Sequence, residues 1–140
     1  MVAHGLIDLH KIDIPELRMR HMVDEIQHIL NLYAPDCVVA ELTAVVRNEQ
    51  TQRMLTMILG AILGWCVEHE KNFETLRPTE WRSYVQKGVN VKKRDELKYW
   101  AIEKVKELFG VSNVNDDEAE GILIGFAYIK HMEELGNDIQ

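Results

Sequence analysis

Cysteine is scarce in this sequence, and what there is does not pair. Cys37 and Cys66 fall in separate apolar segments and form no CxxC motif. That excludes a disulfide scaffold and reads as two reduced core thiols of a cytoplasmic protein. Structural zinc is equally unsupported. The six histidines (His4, His10, His21, His28, His69, His131) are scattered and make no ligand pattern such as HExxH. Proline occurs only three times against 46% hydrophobic residues, so nothing points to disorder. No apolar run is long enough to cross a bilayer: the longest, Met57 to Val67, is interrupted by two glycines. The opening MVAHGLID has neither the basic region nor the continuous apolar core of a secretory leader. Positive charge is in the minority, with a net charge of −7, which argues against a general nucleic-acid coating protein. Repeats, low-complexity tracts and linkers are absent, and 140 residues suit one domain with a sizeable core.

What is present is organised around Asn115 to Tyr128, NDDEAEGILIGFAY. Asp116, Asp117 and Glu118 open an apolar run, and Glu120 follows one turn later. Residues three apart share a helix face, so Asp117 and Glu120 should project together. Two readings stand side by side. Acids at a helix N-terminus are favoured by its dipole, by about 0.3–1 kcal/mol, which makes a simple cap. Against that, Ile122, Leu123, Ile124, Phe126, Ala127 and Ile129 wrap nearly all round the helix. A helix apolar on every side is buried, which would set its acids at the rim of a core where a cation is needed. Mg²⁺ is held in this way, by one or two carboxylates together with substrate phosphates.

In chain order, Ala3 to Leu9 is apolar-rich and fits a strand. Pro15 and Glu16 mark a helix start, and apolar residues at steps of three and four carry that helix from Leu17 to Tyr33, before Pro35. His21 and His28 lie off the stripe and read as surface residues. Asp36 to Leu42 holds a run of small and β-branched residues that suggests a strand buried on both faces, as in a parallel sheet. Glu41 closes it, at the strand end where open α/β sheets place ligands; an acid merely entering solvent is the alternative. Thr43 to Asn48 reads as a loop.

Asn48 to about Glu70 reads as a long helix. Its Gly60 and Gly64 share a face and would let another backbone approach closely, either the sheet or a second subunit. Mid-helix glycine costs about 1 kcal/mol relative to alanine, so such packing would give two of them a reason. Asn72 to Arg77 is expected as a short strand and Pro78 to Val85 as a helix, with Trp81 and Tyr84 either packing on the core or stacking on bases. Lys87, Lys92, Lys93 and Arg94 then fall within eight residues with no acid among them. This is either a solvated loop or a phosphate-contacting edge. Arg94 to Phe109 is an amphipathic helix, with Gly110 where a C-cap glycine belongs. The acidic helix should run to about Leu135, leaving Gly136 to Gln140 as a tail. The order implies an α/β domain, a small mixed sheet flanked by helices.

Taken together, the strand ending in VVAEL, the long helix, the P-x-x-W-R helix, the basic loop and helix, and DDEAEGILIG resemble the RuvC-like Holliday junction resolvases. These belong to the RNase H-like superfamily, and the likeness is to its phage and bacterial branch. The most specific element is D-x-A-[DE]-[AG]-[ILV], matched from Asp117 to Ile122, and the likeness runs from Ala3 to about Ile129. It implies a homodimeric endonuclease that nicks four-way DNA junctions with two Mg²⁺ or Mn²⁺ ions held by four carboxylates. Two such ions, about 3.5–4 Å apart, activate water and stabilise the leaving oxygen of an in-line displacement. Carried over by position, the acids are Glu41, Asp117 and Glu120, with Asp116 as a substitute for Asp117. Lys87, Lys92, Lys93 and Arg94 would lie near junction phosphates, and the helix bearing Gly60 and Gly64 would form the dimer. Members of this family begin with a strand carrying a further aspartate, in a pattern like I-D-x-[GS]. Here Met1 to Gly5 already resembles the turn into the third strand, and Asp8 sits in third-strand surroundings. The expectation is therefore an N-terminally shortened or variant form holding three of four acids, with an unpaired sheet edge that drives association. The alternatives to a nuclease are a dimeric module that binds branched DNA without cutting it, and a structural protein whose acids only cap a helix.

Overall fold

The computed structural model describes residues 1–42, 47–86 and 93–139, the last three as backbone only. Helices dominate: α1 (Pro15–Tyr33), α2 (Glu49–Glu68), α3 (Pro78–Val85), α4 (Arg94–Phe109) and α5 (Asp116–Ile139). Among the described residues two strands, β1 (Cys37–Glu41) and β2 (Asn72–Leu76), pair in parallel. Parallel neighbours need a crossover, and α2 supplies it. The chain divides into two compact units. One is the continuous stretch Ile7–Thr75; the other joins Met1–Leu6 to Leu76–Gln140.

In the continuous unit α1 packs on α2. Leu30, Trp65 and Cys66 are buried there, with Ile26, Val38, Ile62 and Phe73 packed against them. The indole N–H of Trp65 donates to Asn31 Oδ1 at 2.9 Å, so this large side chain enters the core without stranding its donor. Burial pushes the Cys66 thiol up, with the neighbouring Cys37 adding to the effect. Pro15 occupies the first turn of α1, where its missing N–H costs nothing. The helix closes with Ala34 in the left-handed region, its N–H on Leu30 O at 2.8 Å, just before Pro35.

α2 begins on Asn48, whose side chain accepts from the N–H groups of Gln50 and Thr51. It ends in a Schellman turn. Glu70, at φ 55°, donates to Val67 O, and the next N–H, that of Lys71, reaches Cys66 O at 2.8 Å.

In the other unit α3 and α4 both pack on α5. Ala119, Leu123 and Ala127, four apart on α5, are fully buried. Opposite them lie Ala101 and Val105 of α4 and Trp81 and Val85 of α3, also buried. Phe109 and Phe126 meet edge to face at 5.8 Å. Tyr84 Oη and His131 Nδ1, 2.6 Å apart, link α3 to the outer half of α5. Both aromatics of α3 are thus occupied by the core, Trp81 completely. Gly110, at φ 68°, ends α4 in the left-handed conformation that glycine adopts at no steric cost.

Four expectations are corrected. Residues 3–9 form no strand. A strand persists only where its backbone groups find a ladder, and this segment instead turns, with Ile12 N–H on Leu9 O. β1 is half-buried along its length rather than buried on both faces, since a two-stranded sheet leaves part of each face open. α5 is not enclosed: Leu123 and Ile124 are buried, but Ile122 and Phe126 are half-buried and Ile129 is 57% exposed. Nor does it stop at Gly136. The helix continues to Ile139, because one glycine weakens a helix by about 1 kcal/mol without breaking it. The loop expected at Thr43 to Asn48 lies outside the described residues for 43–46.

Candidate functional site

α5 starts on Asn115, whose Oδ1 accepts the Glu118 N–H at 2.8 Å. This cap fixes the first turn, and with it the directions of four acids. Asp116 turns toward α4 and pairs with Lys98 at 3.5 Å. Glu118 meets His4 Nδ1 at 3.0 Å. Glu120 is half-buried and has interactions of its own. Asp117 differs from all three. It is exposed, makes no hydrogen bond or ion pair among the described residues, and lines a pocket of about 400 Å³.

That pocket runs along one side of α5. Its floor is Gly121 and Gly125, one turn apart, where an added Cβ would meet nothing within 4 Å. Phe109, Ile122, Phe126 and Ile129 supply apolar walls, and the N-terminal segment crosses it through Met1, Ala3, His4 and Gly5. The pocket is therefore apolar along its length and acidic at the end where Asp117 and Glu118 stand.

Glu41 ends β1 in the continuous unit, half-buried and with interactions of its own. Asp8 belongs to that unit too. It accepts from the His10 N–H at 3.1 Å and meets His10 Nδ1 at 2.6 Å. These hydrogen bonds, the side-chain one first, hold its carboxyl below the usual range. Asp8 is thus occupied by a local turn. Among the described residues no three His, Cys, Asp or Glu side chains gather closely enough to hold a metal ion. What the acids of α5 offer is hard oxygen donors on adjoining turns, the donor chemistry of Mg²⁺ sites completed by substrate phosphates.

Of the basic residues, Lys93 caps α4 and Arg94 opens it, and both are exposed. Asp95 and Glu96 follow directly, as the helix dipole favours. Lys87 and Lys92 lie outside the described residues. Gly60 and Gly64 are exposed on α2, and beyond the helix's own adjoining backbone nothing among the described residues comes within 4 Å of a Cβ built on either. The sheet is thus not the close neighbour these glycines admit. On the same helix Met57, Leu63 and Val67 are exposed, Val67 by 70%.

Sequence reasoning missed His4 and the glycine floor. Asn115 carried a readable signal, as an N-cap residue just ahead of acids. His4 carried none, since its partner lies 114 residues away.

No family model matches the chain. Individual proteins do. The crossover junction endodeoxyribonuclease RuvC of Dictyoglomus thermophilum is 26% identical over 118 residues, covering 83% of this chain and 72% of its own. RuvC of Dictyoglomus turgidum matches at the same identity and coverage. Among solved structures, Thermus thermophilus RuvC in complex with a Holliday junction substrate superposes with a TM-score of 0.70 at 12% identity. That likeness covers 92% of this chain and 75% of the other. A second Thermus thermophilus RuvC structure gives 0.62 at 15% identity, over 85% and 72%.

The element order and these superpositions define an RNase H-like α/β fold. Within it the chain is RuvC-like, in sequence as well as in fold. No helix among the described residues is long and apolar enough to cross a membrane.

Proposed function

We propose that this chain is a structure-selective DNA endonuclease that hydrolyses phosphodiesters at four-way junctions, acting as a homodimer with Mg²⁺ or Mn²⁺. The observation that carries the reading is Asp117: an exposed acid without a protein partner among the described residues, on the first turn of α5, in a RuvC-like chain. A carboxylate kept out of ion pairs while its neighbours Asp116 and Glu118 are engaged is available to a ligand.

In this reading Asp117 and Glu120 of α5 hold the metal, with Asp116 able to serve in place of Asp117. When bound, a divalent ion supplies charge stabilisation and a more acidic water. The residues themselves do the placing. The Asn115 cap orients Asp117, and the buried Ala119 and Leu123 lock the rotation of α5. Lys93 and Arg94, with Lys87 and Lys92, contact phosphates, and that attraction is salt-sensitive. The face of α2 around Gly60 and Gly64 meets a second copy. In this reading both compact units belong to one RNase H-like domain, supported by a similarity to RuvC that spans 83% of the chain.

A four-way junction assay in Mg²⁺ and in Mn²⁺, scoring binding and nicking together, tests the reading. Wild type is expected to introduce paired symmetric nicks. Asp117→Asn should lose them, by on the order of 100-fold or more, with an unchanged melting temperature. Equal nicking by wild type and variant, or binding without nicks, overturns it.

A further inference from the structure

The N-terminal segment has no regular structure, yet it delivers one chemically capable side chain to the pocket that Asp117 lines. His4 Nδ1 stands 3.0 Å from Glu118 Oε2, with the imidazole 32% and the carboxylate 17% exposed. Glu118 is itself held by the Asn115 cap on its backbone N–H. An ionised carboxylate only accepts, so Nδ1 carries the proton of this bond. The neutral ring then presents its lone pair at Nε2, which has no protein partner among the described residues. A carboxylate that fixes one imidazole nitrogen and leaves the other as acceptor is the arrangement by which proteins orient a base. Among the described residues lining the pocket, the charged side chains are those of Asp117 and Glu118, and α4 contributes the apolar Phe109.

We infer that His4, oriented by Glu118, is the proton acceptor of the Asp117 pocket. The assignment rests on the hydrolytic reading above and adds to it the group that receives the proton. In the step, a water O–H bond breaks and its proton goes to His4 Nε2. The water oxygen bonds to phosphorus, and the bond from phosphorus to the leaving sugar oxygen breaks. That oxygen takes its proton from solvent. Glu118 stabilises the imidazolium and is a positioning residue.

The test uses the full chain as wild type, His4→Gln and Glu118→Gln. Single-turnover nicking of a four-way junction is followed from about pH 5 to 9, across the range in which histidine titrates. Junction affinity and melting temperature are measured alongside. Imidazole ¹⁵N NMR of the protein without added metal reports the tautomer of His4. Wild-type nicking should rise with pH to a plateau. His4→Gln, which keeps a donor for Glu118, should lower the plateau about 100-fold, remove the histidine inflection and leave affinity unchanged. The wild-type spectrum should show His4 protonated at Nδ1, and Glu118→Gln should shift it toward the Nε2 form. A chain that nicks but is indifferent to His4→Gln, or a wild-type ring protonated at Nε2, overturns this role alone. A wild-type chain that nicks no junction overturns the nuclease reading and this role with it.

Discussion

Glu70 sits in a backbone position that suits glycine better. It is the left-handed residue of the Schellman turn after α2, at φ 55°, with both of that turn's hydrogen bonds in place. A side chain there meets the following carbonyl, at a cost of roughly 1–2 kcal/mol. Glycine removes that cost but gives back part of it through a more flexible unfolded chain. Glu70→Gly is therefore expected to stabilise the protein by about 0.5–1 kcal/mol, read as a rise in the urea midpoint at constant slope. The same residue shows why the end of α2 was hard to place. Gly110 announces the end of α4 by its identity, whereas Glu70 does the same job with a residue that signals helix. At this scale Asp117 was legible, because acids at the mouth of an apolar run are visible in one dimension. That Asp116 pairs with Lys98 and Glu118 with His4, leaving Asp117 alone, was not, since those partners are set by packing.

At the scale of elements, the helices were read closely because their periodicity and caps are local. Pro78 and Val85 bound α3, and Arg94, Phe109 and Gly110 bound α4 and its cap, as their residues imply. β-structure behaved differently. The apolar-rich stretch Ala3 to Leu9 is compatible with a strand, but strands need partners and this stretch pairs with none among the described residues. α5 shows a further limit of pattern: apolar residues all round a helix say nothing about which side is covered. The covered side makes a prediction. Leu123 is fully buried on α5, which packs on α3 and α4, so Leu123→Ala should cost about 2–5 kcal/mol in denaturant unfolding. Ile129→Ala, on the open side, should fall within roughly 0.5 kcal/mol of wild type. Equal losses at both positions would mean that α5 is enclosed after all.

For the whole molecule, the exposed apolar residues of α2 are the main feature that one copy of the chain does not explain. Met57, Gly60, Gly64 and Val67 recur at steps of three and four along one side, and no other element among the described residues comes within 4 Å of a Cβ built on either glycine. Light scattering is expected to give twice 16.3 kDa for wild type. Gly64→Glu should return the chain to a single copy while keeping its helical circular dichroism. An unchanged mass would remove α2 as the contact.

The division of the chain has a consequence in time. The stretch Ile7–Thr75 is contiguous, and its core residues, Leu30, Trp65 and Cys66, are complete once Thr75 has been made. The other unit takes its first six residues from one end of the chain and the rest from the other. His4 cannot meet Glu118 until the start of α5 exists, 114 residues later. On a ribosome adding about 5–20 residues per second, the leading segment waits several seconds for its partner. In the part of that interval after Thr75 the continuous unit can be whole and the pocket beside Asp117 cannot, so the molecule acquires a stable body before it acquires that pocket.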